Sequence, residues 1–291
     1  MKSNATQTLT PGSLSFPPLS PTVAVPPTKI AEDTWVIHQV QPALGQPLDI
    51  YINSMVILGS EPVIVDTGTP ANRKQWQEDV FSLVEPKDVK WIFLSHDDVD
   101  HTGNLDEALS ACVNATVVCS WAMVERHTNC FDFPLPRCRW VTDGESFDVG
   151  DRALVAMRPP VFDSPTTRGL YDPKTKVYWA VDTFATPLPD KAMGIADLDH
   201  DFWYFGLMLF ALGAVSPWIT WSDPAKYDKI VDRVQNLDIT TIASCHSPVI
   251  EGPYIAKAFE RIRQLPTVDM PELPDQSVLD QIIAATAQAP S

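Results

Sequence analysis

A chain of 291 residues, 45% hydrophobic and 20% charged, is long enough for one large or two small soluble domains with a substantial core. Its formal net charge of −16, from 37 acidic and 21 basic residues, disfavours nucleic acid and anionic membrane surfaces as partners. The five cysteines (Cys112, Cys119, Cys130, Cys138 and Cys245) are odd in number and lack CxxC spacing, which argues against a disulfide framework or a zinc finger and for a reducing, cytoplasmic location.

Residues 1–30 are rich in Ser, Thr and Pro and contain no continuous apolar run of the signal-peptide kind, so they are expected to form a flexible arm. The Asn-x-Thr matches at Asn4 and Asn114 are too short to carry weight. Strands are predicted over 34–40, 54–59 and 62–68, the last two joined as a hairpin by the turn residues "GSEP". A helix over 71–83 leads to an inner strand, "KWIFLS" (90–95). Beyond "SHDDVDH" (95–101), a helix over 103–112, a strand over 115–120 and another helix from Trp121 follow.

The second half repeats the same elements, with strands over 153–159, 176–182 and 238–245 and helices over 225–236 and 251–264. The apolar segment 202–221 approaches the length of a membrane span, but its glycines, proline and acidic flanks favour a helix packed on or over the core. Strands then helices, twice over, predict two packed sheets with helices outside, as one domain over 31–266 with a tail at 267–291.

Ionisable residues gather where these apolar runs end. His96 and Asp98 are two apart after a strand and project to one side if the chain stays extended, while Asp100 and His101 sit where it turns into a helix. One such cluster is compatible with a solvated acidic turn. Asp163 in "VFDSP", Asp182 in "YWAVDTFA" and His246 in "IASCHSP" also follow apolar runs, and burying so many ionisable groups without partners or a metal is costly.

Over residues 34–264 this set resembles the metallo-β-lactamase fold superfamily, whose first motif is HxHxDH after a strand, preceded by a DTG hairpin seen here as "VIVDTG" with Asp66. The resemblance implies an α/β αββα sandwich, two mixed β-sheets flanked by helices. It also implies two metal positions, one of His96, Asp98 and Asp163 and the other of Asp100, His101 and His246, bridged by Asp182. Asp98 stands where the motif has its second histidine and looks like the flavodiiron and oxygen-binding di-iron branch, where HxExDH is usual. Asp163 departs even from that branch and bears on the completeness of one position.

Four carboxylates and three imidazoles favour iron or manganese over zinc, and the carboxylates balance two divalent ions before any hydroxide binds. Anionic ligands lower Lewis acidity, which works against hydrolysis and points to redox chemistry or oxygen binding. Only 45 residues follow His246, too few for the flavodoxin domain of flavodiiron proteins, so electrons are expected from a separate donor or the substrate.

The leading expectation is a di-iron (or manganese) oxidoreductase acting on a small molecule or dioxygen, with Asp100 and Asp182 the catalytic carboxylates. The alternatives are a metal-dependent hydrolase of a small ester, lactone or thioester, and a non-enzymatic di-iron oxygen sensor. Asp66 is expected to hold the metal loop by hydrogen bonding, and Cys245 to be buried packing or to tune the site. His38, His127 and His200 are expected at the surface or as satisfied core residues. Phe202, Trp203, Tyr204, Phe205 and Met208 are expected mainly to pack, with one or two reaching an apolar pocket above the metals. No GxSxG, dinucleotide or P-loop motif is present.

Overall fold

The computed structural model describes residues 25–43, 48–127, 133–189 and 194–288. Two sheets stack face to face. The first holds seven strands in chain order: β1 (Val25–Ala31), β2 (Thr34–Pro42), β3 (Asp49–Ile57), β4 (Val63–Val65), β5 (Trp91–Phe93), β6 (Thr116–Cys119) and β7 (Cys138–Trp140). Strands β1 to β4 alternate in direction, whereas β4 to β7 run parallel. Parallel neighbours need crossovers. These carry α1 (Arg73–Leu83), then α2 (Val99–Thr102) and α3 (Leu105–Ala111), then α4 (Trp121–His127).

The second sheet comprises β8 (Ser146–Asp148), β9 (Ala153–Met157), β10 (Gly169–Asp172), β11 (Val177–Trp179), β12 (Thr241–Ala243) and β13 (Ile250–Glu251), ordered β13-β12-β11-β10-β9-β8. Only β11 and β12 in it are parallel. The crossover between them carries α5 (His200–Phe210) and α6 (Pro224–Gln235), with α7 (Pro253–Arg263) and α8 (Gln276–Gln288) following.

Three apolar layers hold the sandwich together. Met55, Val65, Phe93 and Val118 of the first sheet meet Leu154, Leu170, Trp179 and Ala243 of the second. Trp76, Leu105 and Met123 cover the first sheet from outside, and Trp203, Tyr227 and Phe259 cover the second. The expected αββα sandwich is the fold.

The boundaries differ in places. Residues 25–31, assigned to the arm up to residue 30, form the edge strand β1. Its Pro26 and Pro27 are tolerated because an edge strand has one unpaired side and the register shifts between Val25 and Thr28. Residues 1–24, including Asn4, lie outside the described residues, as does Cys130. The tail carries α8. Segment 202–221 is not one helix: α5 ends at Phe210, a π-helical turn spans Ala211–Val215 and a 3₁₀ helix Pro217–Trp221. No described helix is long and apolar enough to cross a membrane.

One rim of the sandwich is tied by charge. Arg152, beside β9, pairs with Asp172 at 2.8 Å, Asp151 at 3.0 Å and Asp33 of the β1–β2 turn. The opposite rim, where β4, β5, β11 and β12 end, gathers the ionisable residues.

Candidate metal centre

The rim is built first on Asp66, directly after β4. Its backbone is left-handed at φ 60, and its carboxylate is wholly buried. Oδ1 accepts the Ser95 N–H at 2.7 Å; Oδ2 accepts the Ser95 hydroxyl at 2.5 Å, the Trp179 indole N–H at 3.1 Å and the His101 Nδ1–H at 2.9 Å. Asp66 thereby holds the β5 loop and leaves His101 Nε2 facing inward. Thr67 adds its N–H and hydroxyl to the His101 carbonyl at 2.7 and 3.1 Å. Gly68, at φ 64, completes the turn where any Cβ would run into the Gln39 amide oxygen.

The loop after β5 presents His96, Asp98, Asp100 and His101. His96 Nε2 lies 3.3 Å from both Asp163 Oδ2 and Asp182 Oδ2 and 3.6 Å from Asp98 Oδ2. Asp163 comes from the loop before β10, so its approach depends on a tether between the two loops. That tether is Asp97, whose Oδ1 accepts the Thr166 hydroxyl at 2.5 Å and the Ser164 hydroxyl at 3.1 Å, while Arg126 Nε donates to Oδ2 at 2.6 Å. Burial pushes the Asp97 carboxyl up, but these hydrogen bonds and the Arg126 charge outweigh it and hold it below the ordinary range. The sequence reading overlooked Asp97; its signal was a third acidic residue in the motif that no metal position claimed.

Asp182 reaches the rim from beyond β11. The residue before it, Val181, is left-handed at φ 58, an unfavourable conformation for a β-branched side chain. It is held there because its carbonyl accepts the Cys245 N–H and the Ser244 hydroxyl, each at 2.8 Å. His246 arrives from beyond β12. Its Nδ1–H donates to the Tyr51 carbonyl at 2.7 Å, and its Nε2 stands 3.2 Å from Asp100 Oδ2 and 3.4 Å from Asp182 Oδ1. Asn53, also unforeseen, clamps this loop by donating to the Ser244 and Ser247 carbonyls at 2.9 Å each.

All seven residues named from the sequence therefore meet on one rim. His96, Asp98 and Asp163 form one donor group, called here the first position; Asp100, His101 and His246, joined by Cys245, form the second. Within each group the donor atoms lie within 4.8 Å of one another, and Asp182 joins His96 and His101 in a third group between them. Solvent reaches the rim from the side of Asp98, whose side chain is 56% exposed, while His101 is wholly buried.

Charge within the rim is strongly coupled. Burial opposes protonation of His101 and His246, but the side chains around them, Cys245 first and then Asp100 and Asp182, outweigh it and raise both well above the imidazole value. Burial likewise pushes Asp100 and Asp182 up, yet the neighbouring imidazolium charges hold both carboxyls far below the usual range. His96 is shifted upward less strongly, burial and the His101 charge opposing Asp182 and Asp163. Both His96 ring nitrogens are buried without a hydrogen-bond partner, as suits an imidazole awaiting a cation. Donor type, convergence and that orphaned imidazole fit a pair of metal ions.

The remaining histidines have other work. His38 is buried, donating from Nδ1 to Asn53 Oδ1 and accepting at Nε2 from Thr28, each at 2.9 Å. His127 donates to the Asp97 carbonyl at 2.9 Å, and His200 lies exposed against Tyr204. In the apolar segment Trp203 packs into the outer core and Phe205 is exposed. Phe210, not singled out from the sequence, stacks on His246 with ring centroids 6.1 Å apart.

The model of the ODP family beta lactamases matches residues 50–247, a stretch containing every one of these donors. The chain belongs to this family. Its relatives include diflavin flavoproteins and flavorubredoxins. Diflavin flavoprotein A 1 of Synechocystis sp. is 25% identical over 205 residues, covering 68% of this chain and 34% of that protein. The flavodiiron protein of Giardia intestinalis superposes with a TM-score of 0.71 at 16% identity, covering 83% of this chain and 59% of that one. Rubredoxin oxygen:oxidoreductase of Desulfovibrio gigas gives 0.70 at 16% identity, covering 82% and 61%. The chain spans 28% to 54% of the length of the first curated relatives it matches.

Proposed function

We propose that this ODP-family chain is a dinuclear non-haem iron protein with oxidoreductase or oxygen-binding chemistry on dioxygen or a small oxygen-derived molecule. The observation that carries the reading is the donor set: Asp98, Asp100, Asp163 and Asp182 with His96, His101 and His246, converging from both sheets on one rim. Oxygen donors in that proportion select iron or manganese, and their charge offsets two divalent or more highly oxidised ions.

The first position would be held by His96, Asp98 and Asp163, the second by Asp100, His101 and His246, with Asp182 between. When bound, the iron pair supplies electrons to a small oxidant. The chain orients the donors: Asp66 and the Tyr51 carbonyl fix the tautomers of His101 and His246 so that each offers Nε2 inward. Phe210 covers His246, and the exposed Asp98 side marks the way in for a small substrate.

The test is metal content after anaerobic purification from cells supplied with iron, manganese and zinc together. Close to two irons per chain, with a visible absorption that responds to oxygen, is expected. Two zincs per chain would overturn the donor-set argument and make a hydrolytic role the working reading.

A further inference from the structure

Cys245 does more than pack in the apolar layer between the sheets. Its sulfur is one of four donor atoms, with those of Asp100, His101 and His246, that lie within 4.8 Å of one another. The residue is completely buried. Its backbone is pinned on both sides, the N–H to the Val181 carbonyl and the carbonyl to the Asn53 N–H, each at 2.8 Å. Its two imidazole neighbours commit Nδ1 to the Asp66 carboxylate and the Tyr51 carbonyl, so both aim Nε2 at the space the sulfur shares.

The other described cysteines behave differently. Cys112 and Cys119 sit in the apolar layer beneath the outer helices. Among the described residues, none of Cys112, Cys119 and Cys138 joins a group of potential metal donors. A tetrahedral ion with one sulfur at about 2.3 Å and nitrogen or oxygen at about 2.0–2.2 Å needs donors roughly 3.3–3.8 Å apart. The second donor group, with all its donor atoms within 4.8 Å of one another, is on that scale.

We propose that Cys245 is a metal ligand, its sulfur bonded as thiolate to the ion held by Asp100, His101 and His246. The inference rests on the metal-centre reading above and deepens it. The two positions then differ in kind. The first offers oxygen and one imidazole; the second offers a soft sulfur with two imidazoles and one carboxylate. Soft donors favour iron, cobalt and zinc over manganese, so the second position discriminates more sharply against manganese than the first. A fifth anion also joins the four carboxylates, which favours a ferric ion over a second ferrous one.

Cobalt(II) is the probe. Metal-free protein titrated anaerobically with cobalt is expected to develop a near-ultraviolet sulfur-to-cobalt charge-transfer band that saturates at one equivalent, alongside visible ligand-field bands. In C245S the charge-transfer band is expected to vanish, the ligand-field bands to persist, and affinity at that position to fall roughly 10- to 100-fold. A second measurement needs no variant: zinc X-ray absorption on the wild-type chain is expected to show one sulfur at about 2.3 Å. Ligand-field bands without a charge-transfer band, or a charge-transfer band that survives C245S, would overturn the ligand role while leaving the metal centre intact. Failure of cobalt and zinc to bind at all would overturn both.

Discussion

His246 Nδ1 donates to the Tyr51 carbonyl at 2.7 Å, and through that bond the first sheet dictates how a ligand carried by the second sheet is presented. Tyr51 lies on β3, whereas His246 follows β12, so the contact spans the sandwich. With Nδ1 acting as donor, the lone pair is left on Nε2, which faces Asp100 and Asp182.

Asn53 lies two residues from Tyr51 on the same strand and clamps the same loop through the Ser244 and Ser247 carbonyls. Asn53→Ala leaves both carbonyls and His38 Nδ1 without that partner in a buried place. Unfolding experiments are expected to show a loss of about 2–4 kcal/mol. Metal titration is expected to show the second position weakened about 10- to 100-fold and the first little changed.

Asp97→Ala should do the reverse. It releases Ser164 and Thr166, and with them the loop that carries Asp163. The first position is expected to weaken about 10- to 100-fold, and metal content to fall from two ions towards one. Equal loss at both positions would show that Asp97 supports the whole rim rather than the Asp163 loop.

Changing Asp98 and Asp163 together to His replaces two oxygen donors with imidazoles around His96. Competitive loading is expected to shift the first position towards zinc. Unchanged preference would mean that those two carboxylates do not bind the ion.

The pH dependence has a definite sign. In the metal-free protein His101 and His246 titrate well above 6.5, so their contribution to stability is full below that value and is lost as pH rises through the raised pKa. Asp100 and Asp182 titrate below 3.8, so their contribution is present above that value and is lost as pH falls through the depressed pKa. The metal-free rim is therefore most stable between 3.8 and 6.5 and loses stability as pH rises further. Metal must displace the imidazolium protons, so its grip tightens as pH rises. The rise in Tm on adding metal is expected to be larger at about pH 8 than at about pH 6 in differential scanning fluorimetry.

At the opposite rim, Arg152→Met strips the buried Asp172 of its charged partner. A loss of about 3–5 kcal/mol is expected on denaturant unfolding. Metal affinity measured on the surviving folded fraction should be unchanged, because Arg152 contacts none of the rim donors.

Periodicity and strand-end chemistry in the sequence placed β2 to β6, β9, β11 and β12, most of the outer helices and the seven rim residues, because apolar runs that end in ionisable groups leave those groups at a sheet edge. Short strands such as β8 and β13 have too few residues for a pattern to register, and β1 was hidden by its two prolines. The roles of Asp97 and Asn53 were hidden for a different reason. Each acts on a loop distant in sequence, and one asparagine among many polar residues carries no local mark of the carbonyls it will meet. The sequence by itself determined which residue types stand at the ends of β4, β5, β11 and β12. Only the tertiary structure decided that Asp66 and the Tyr51 carbonyl would fix the imidazole tautomers and that the Cys245 sulfur would fall among the donors. Those relations depend on the stacking of two sheets, and stacking is set by the whole buried interface rather than by any single stretch of chain.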